Sequence, residues 1–487
     1  MIGRWRSLGP TIISDGLGAT GRIMCLALHP TNRSTIYAGS LSSNRNQPGG
    51  CGVWKTTNGG ASWSPIADDL PSLQVADIAI DSTAPSRVYV AIVDRDRAGA
   101  GLYLSENGGS SWIQVTIDSR LNGRILLIDP ANASVLYMAG RDAVYRSSDG
   151  GVSWNPVLDE AGGAITDLVM DRSNPQRLYA GVLGSSSDVG GLYATRDSGS
   201  TWARLSGCPG QRLPNANTGT TVRLAMSGSR IYAAFKTSND WILYRTTGVG
   251  CTVGGRAEQA WERGWQAGPE VGRTIWSFLY ADPADPDFVY ATGTNFRVST
   301  DGGMTFSVVD GPHVDHHAFA TDPTNPKIIY TGSDGGIYKS SNHGSSGSWS
   351  FIGQGTAITE MYDLAHAPTD SRTLISGTQD NGTIRYRGTD TTWKKIRGGD
   401  GAGVEIDPTD EAILFGVGQY ASSIARSKDG GSFQEISQGL PIGTDCFDMP
   451  FHVHPKTPTI LLASCSGALW RTTTSVPPGD WKSVRTR

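Results

Sequence analysis

Short apolar runs alternate with polar, glycine-bearing turns along the whole chain, and the pattern recurs roughly every 40 to 58 residues. The stretch Ile165–Leu205 shows one unit: ITDLVMD, a turn RSNPQ, then RLYAGVL, a loop, GLYAT, and finally RDSGSTWARL. Each apolar run has strand length, is rich in β-branched and aromatic residues and is bounded by Gly, Pro, Asn, Asp or Ser, so the unit predicts a four-stranded antiparallel meander. The first turn opens on Asp or His, usually followed by Pro, at His29, Asp129, Asp171, Asp282, Asp322, Asp407 and His454. Proline fixes φ there and the Asx side chain bonds back to the local backbone. The second run pairs an aromatic with a small residue, as in IYAG at Ile36, VYVA at Val88, LYAG at Leu178 and IYTG at Ile329, which predicts a buried inner strand.

The third and fourth runs are joined by the pattern S/T-x-D/N-x-G-x-x-W. It occurs as TTNGGASW at Thr56, SENGGSSW at Ser105, SSDGGVSW at Ser147, TRDSGSTW at Thr195, STDGGMTF at Ser299 and, shortened, SKDGGSF at Ser427. The acidic or amide side chain is suited to accept local amides and glycine to take the position a Cβ would forbid. A four-stranded unit repeated in series cannot bury both faces by itself, so neighbours must stack around a central channel. Counting first strands from GRIMCLAL to FHVH gives about ten. The expected fold is therefore all-β, a β-propeller of four-stranded Asp-box blades, about ten in a single ring spanning residues 1–487. Two smaller consecutive propellers are the alternative.

Composition agrees with this and narrows the function. The 63 Gly and 25 Pro with 18% charged residues suit many short strands joined by tight turns. A net charge of −4 gives no basic excess for nucleic acid or an anionic membrane surface. No run approaches the ~20 apolar residues that span a bilayer, and Met1 to Pro10 lacks the apolar core of a signal peptide. Of the six cysteines, Cys208/Cys251 and Cys446/Cys465 are close enough in sequence to pair, while Cys25 and Cys51 fall in the first repeat. Disulfides would place the chain in a secreted or periplasmic setting; six reduced thiols would suit the cytosol.

The boxes, with GRIMCLALHPTN, GVWKTTNGGASW, HVDHHAFATDPTNP, GSDGGIYKSS, GTQDNGT and GGDGAG, resemble the BNR/Asp-box superfamily over nearly the whole chain. That superfamily includes sialidases, two-propeller xyloglucanases, photosystem assembly factors and sortilin-type receptors, and the likeness is greatest to bacterial BNR-repeat glycosyl hydrolase-like proteins. The resemblance implies a propeller acting on or binding carbohydrate. The arginine-isoleucine-proline segment of sialidases is not reproduced at Gly21-Arg22-Ile23-Met24.

The boxes and the Asp-Pro turns share one face of a propeller, so Asp149, Asp197, Asp301 and Asp429 are expected to form turns rather than to act. The opposite face collects the residues before each first strand: Arg22, Asp77, Arg124, Asp167, Arg223, Trp276, His313 to His317, Tyr362, Asp400 and His452. The second-to-third loops add Asp334, Asp380, Asn381 and Tyr420. Two chemistries fit. Asp315, Asp380 and Asp400 could supply a carboxylate pair for glycoside hydrolysis, with Arg22, Arg124, Arg223, Trp276, Tyr362, Asn381 and Tyr420 contacting a poly- or oligosaccharide or an acidic glycan. Alternatively His313, Asp315 and His317, in H-x-D-x-H spacing on an extended segment, would hold a divalent metal at the channel mouth. A hydrogen-bonded plug in a binding propeller without turnover is the third expectation.

Overall fold

The computed structural model describes residues 7–14, 16–42, 50–93, 99–116, 123, 125–159, 163–184, 190–214, 221–236, 240–253, 256–267, 278–388, 390–418, 424–441, 449–465 and 467–484. Among them there is no helix, and ten sheets of four or five strands follow in chain order. Each is an antiparallel meander of consecutive strands, as in Val75–Ile80, Val88–Ile92, Gly101–Ser105 and Ile113–Thr116. In the eighth sheet a fifth strand, Ile12–Ser14, lies parallel to the outermost strand Thr392–Arg397.

The chain divides into two compact units. The larger holds Ile23–Ser333 and Ile337–Ile352; the smaller holds Met1–Arg22, Asp334–Gly336 and Gly353–Arg487. In the larger unit the inner strands of the first seven sheets follow one another in contact, and that of the first, Cys25–Leu28, lies against that of the seventh, His316–Asp322. Ile23 N–H donates to Ser333 O at 3.0 Å, and the Trp63 indole donates to Ile352 O at 2.6 Å. These are not the neighbours that a single ring of ten would bring together, and no such ring is closed among the described residues. In the smaller unit, sheets eight, nine and ten contact one another in that order.

Three repeated contacts join neighbouring sheets. The inner tyrosines reach the following box: Tyr37, Tyr89 and Tyr137 donate to the carbonyls of Gly108, Gly150 and Ser198 at 3.0–3.2 Å. These tyrosines are at most 1% exposed, so each carries its full apolar burial as well as a satisfied hydroxyl. A cation on the third strand does the same: Lys55 reaches Gly108 O at 2.7 Å, Arg245 reaches Asp301 O and Arg385 reaches Asp429 O, both at 2.8 Å.

The third contact is an aspartate at a β-bulge of the inner strand. Asp77 accepts from Ile78 N–H at 2.8 Å and from Leu126 N–H of the next sheet at 2.7 Å. Asp167 repeats this on Leu168 and Leu224, and Asp363 on Leu364 and Val404. A bulge leaves amides that no ladder partner takes, and the carboxylate supplies the missing acceptor for both sheets.

The boxes fold for the reason their spacing suggests. Asp149 accepts from Ser147 Oγ, Ser153 N–H and Ser153 Oγ at 2.5–2.9 Å, with Gly150 and Gly151 at φ +74° and +93°. These bonds, foremost those from Ser153, hold its carboxyl down to about 2. Asp197 and Asp301 make the same set. The shortened box departs: Asp429 itself adopts φ +63° and donates its amide to Ala412 O, as Gly150 does to Ser134 O.

A disulfide joins Cys208 to Cys251, tying the short hairpin Gly207–Cys208/Gln211–Arg212 to the long ribbon Trp241–Val253/Arg256–Gln266. Replacing Cys208 by Ser is expected to lower stability by ~2–4 kcal/mol, read from the denaturation midpoint with and without reductant. Cys465 is also disulfide-bonded; Cys446 lies outside the described residues.

Candidate functional site

In the smaller unit a tight turn between strands Thr373–Thr378 and Gly382–Arg387 carries Gln379, Asp380 and Asn381. The Asn381 amide donates to Gln379 O at 2.7 Å, and Asp380 adopts φ +58°, a left-handed conformation that Asp tolerates through local bonding. Gly382 is required beside it: at φ +80°, a Cβ there would lie 2.0 Å from Arg397 O. The turn is anchored by Gln379 N–H to Glu360 O at 3.0 Å and by the Asp380 amide to Asp400 Oδ1 at 2.9 Å. The 1% exposed Asn381 donates its side-chain amide to Asp334 O and Gln379 O at 3.0 and 3.1 Å. Thr20 N–H to Gly335 O, 2.8 Å, brings the chain before Arg22 to the same place.

Arg22 organises the charges. Its Nε and Nη2 grip Asp334 in a bidentate pair at 2.5 and 2.7 Å, and Nη2 also reaches Asp380 Oδ2 at 3.2 Å. Asp334 is 3% exposed, Asp380 16% and Arg22 17%. Burial by itself would lower the Arg22 pKa, but the Asp334 and Asp380 charges raise it above the usual guanidinium value. The carboxylate oxygens of Asp334 and Asp380 lie within 4.8 Å of each other. Burial, then the hydrogen bond and charge of Asp334, then Asp400, push the Asp380 carboxyl far above the ordinary range, so it is the member that keeps a proton. Burial and the nearby Asp400, Glu360 and Asp380 charges likewise raise the Tyr362 hydroxyl. The cluster thus sets the Arg22–Asp334 ion pair beside a carboxyl whose surroundings favour the proton. Such a pairing of one acid kept neutral and one kept ionised is how carboxylates divide acid and base roles.

Of the residues singled out from the sequence, the smaller unit gathers Arg22, Asp380 and Asp400 with Asn381, and Tyr362 lies in the field of the same carboxylates. Arg22 faces carboxylates instead of standing open for a ligand. Asp334 was legible as a loop residue but not as its partner, and Glu360 carried no signal in the pattern.

Most of the others lie in the larger unit, while His452 belongs to the smaller. Arg223 donates through Nη1 to Thr166 O and its charge acts on Asp167, so it ties sheets four and five. Asp77 and Asp167 are bound to bulge amides as described. The extended H-x-D-x-H segment is not formed: Asp315 adopts φ +61°, and the strand begins only at His316. His313 Nδ1 lies 3.1 Å from Val314 O, whereas His316, unmarked by the spacing, is 1% exposed and pairs with Thr331 Oγ1 at 2.9 Å. The alternation that would aim His313, Asp315 and His317 to one side is therefore broken at its centre. His452 is exposed and pairs with Glu405 at 2.9 Å. Arg124, Trp276 and Tyr420 lie outside the described residues.

Comparison with known proteins gives three kinds of likeness. Residues 51–317, more than half of the chain, match the family model described as photosynthesis system II assembly factor YCF48. An oligoxyloglucan-reducing end-specific xyloglucanase of Emericella nidulans is 27% identical over 223 residues, which are 41% of this chain and 25% of that protein. A photosystem II assembly lipoprotein Ycf48 of Synechococcus is 30% identical over 163 residues, 33% of this chain and 45% of that one. The matched stretches thus span a quarter to less than half of these relatives' own length. Among solved structures, a GH74 enzyme of Niastella koreensis superposes with a TM-score of 0.67 at 18% identity, covering 97% of this chain and 74% of that one. That is a likeness of fold. With its in-phase boxes and stacked four-stranded sheets, the chain belongs to the BNR-repeat propeller family whose model carries the YCF48 description, and is related to the glycoside hydrolases that share the repeat.

Proposed function

We propose that this chain is a carbohydrate-active propeller protein, a glycoside hydrolase in which Asp380 is the proton donor. The observation that carries the reading is Asp380 itself: a partly buried carboxyl in a left-handed turn, whose surroundings favour the proton, beside an Asp334 that Arg22 keeps ionised. The relation to xyloglucanases supports an oligoxyloglucan as substrate. In the proposed step the Asp380 proton passes to the departing glycosidic oxygen, while the neighbouring carboxylate Asp400 assists at the sugar carbon directly or through water. Asn381 and Tyr362 would orient the sugar. The larger unit is read as a ring of seven sheets.

The test is hydrolysis of xyloglucan oligosaccharides, followed by reducing-end release. Activity should fall by ~10²–10⁴-fold in Asp380→Asn. The raised pKa sets the direction of the pH profile: the wild type loses activity as pH rises through the Asp380 pKa. An enzyme whose turnover survives Asp380→Asn with the same alkaline limb does not use this residue as its acid.

A second reading is binding without turnover. It is favoured by the matched residues 51–317, which fall within the larger unit, away in sequence from Asp380 and Asp400. Binding of the same oligosaccharides with no reducing ends released, and unchanged by Asp380→Asn, would support it.

A further inference from the structure

One apolar joint recurs between consecutive sheets, and it is built from three positions. The first sheet supplies Tyr37 on its second strand and Val53 on its third, and both share a cluster with Ile78 on the inner strand of the second sheet. Tyr137 and Val144 of the third sheet meet Leu168 of the fourth in the same way. Phe415 and Ile424 of the ninth sheet meet Phe451 of the tenth. All of these side chains are at most 5% exposed, because each sheet covers the flank of the one before it.

The smaller unit carries both halves of this joint uncovered. Sheet ten buries Leu461, Ala463 and Cys465 against sheet nine and turns the alternate residues outward. Leu462 stands where Tyr37 and Phe415 stand in their sheets, and Leu469 where Val53 and Ile424 do, yet they are 40% and 44% exposed. Val484, whose amide donates to Leu469 O at 2.7 Å, is exposed beside them. At the other end of the stack Leu364 follows the bulge Asp363 as Ile78 follows Asp77, and it is 55% exposed. Met361 on the same strand is also exposed. Ile13 and Ala19 of the amino-terminal segment cover apolar residues on the second, third and fourth strands of sheet eight, so its inner strand is the bare part of that flank. Exposed apolar side chains gathered in this way mark surfaces that another protein covers.

We propose that the two flanks are halves of one joint between two copies of this chain: sheet ten of each copy packs Leu462 and Leu469 on Leu364 in sheet eight of the other. A second copy is the occupant because the two halves are complementary, both belong to one chain, and they lie at opposite ends of one stack. Propellers close with four to about eight sheets, so three are too few, whereas two stacks of three joined end to end twice fall within the range. A contact between unlike flanks repeats without limit unless a rotation closes it, and here the two-fold closes it. Arg471 lies opposite Leu462 on the exposed face, as Lys55 lies opposite Tyr37. From that place Lys55 reaches Gly108 O of the following sheet, and Arg471 would reach a carbonyl of the partner copy.

The test is sedimentation equilibrium of the full chain from micromolar to tenth-millimolar protein, where the wild type should be a dimer. Leu462→Glu with Leu469→Glu on one flank, or Leu364→Glu on the other, should each weaken dimerisation by at least ~30-fold. All three side chains are exposed in the single chain, so the variants should fold, as an unchanged circular dichroism spectrum checks. An equimolar mixture of the two variants holds one intact joint and should form a mixed dimer at the highest concentration, where neither variant pairs with itself. A wild type that stays monomeric leaves the flanks to another partner and overturns the proposal. So do dimers indifferent to Leu364→Glu, which would pair sheet ten with itself, a mixture that does not associate, and a series of species beyond the dimer.

Discussion

Replacing Arg22 by Met is expected to destabilise the protein by ~3–5 kcal/mol, because it strands a buried carboxylate. Asp334 is 3% exposed and both its oxygens are taken by the Arg22 fork. Without that cation Asp334 must either stay charged out of water or take up a proton. Asp380 already sits close by and far above its usual pKa, so two protonated carboxyls would then have to share the acceptors that one shares now. Arg22→Lys keeps the charge but not the two parallel bonds, and should recover only part of the loss. The double variant Arg22→Met with Asp334→Leu removes both charges and should be more stable than Arg22→Met alone. Chemical denaturation midpoints decide the matter: a loss below ~1 kcal/mol in Arg22→Met, or no recovery in the double variant, would show that the pair is not what holds the cluster.

Removing the bulge aspartate of the second sheet should cost nearly as much. Asp77→Ala leaves the amides of Ile78 and Leu126 without acceptors in a buried place, at ~1–3 kcal/mol for each. An expected ~2–4 kcal/mol in total is read from equilibrium unfolding. The pH dependence has an unusual sign for a carboxylate. Burial pushes Asp77 up to about 7, outweighing the Leu126 and Ile78 amide bonds that lower it. A raised carboxyl pKa favours the protonated folded state, so its contribution is fully present below about pH 4 and declines as pH rises to about 7. The stability gap between wild type and Asp77→Ala should therefore narrow from pH 4.5 to pH 7.5. A gap that widens over this range would mean that the carboxylate, and not the acid, is the form the fold prefers.

The turns were legible because their chemistry is local. Ser147, Asp149, Gly150 and Gly151 meet within one box, and the same holds at Asp197 and Asp301, so spacing alone places them. Sheet order was legible for the same reason, since each meander is consecutive. The arrangement of the sheets was not: nothing in Cys25–Leu28 marks His316–Asp322 as its neighbour, and the inner strands of all repeats look alike. Arg22 was singled out for the face it occupies but given a ligand to bind, because its partner Asp334 is 312 residues away and no periodicity connects them. The H-x-D-x-H segment departs from its expected geometry for a different reason. Alternation presumes an extended backbone, and an Asp at φ +61° interrupts it without leaving any trace in the apolar pattern. The bulge aspartates carried a faint mark in A-D-I, T-D-L and Y-D-L, a charge before an apolar residue at the start of an inner strand, where it caps amides.

The bond from the Trp63 indole to Ile352 O joins residues 289 positions apart. During synthesis at ~5–20 residues per second, the first sheet must wait ~15–60 s for the segment that completes it. Throughout that interval its unpaired flank is open to other nascent chains, and contacts of such sequence separation form slowly even in the finished polypeptide. Yield in a cell should therefore depend on holdase chaperones that cover this flank more than on the final stability of the folded protein.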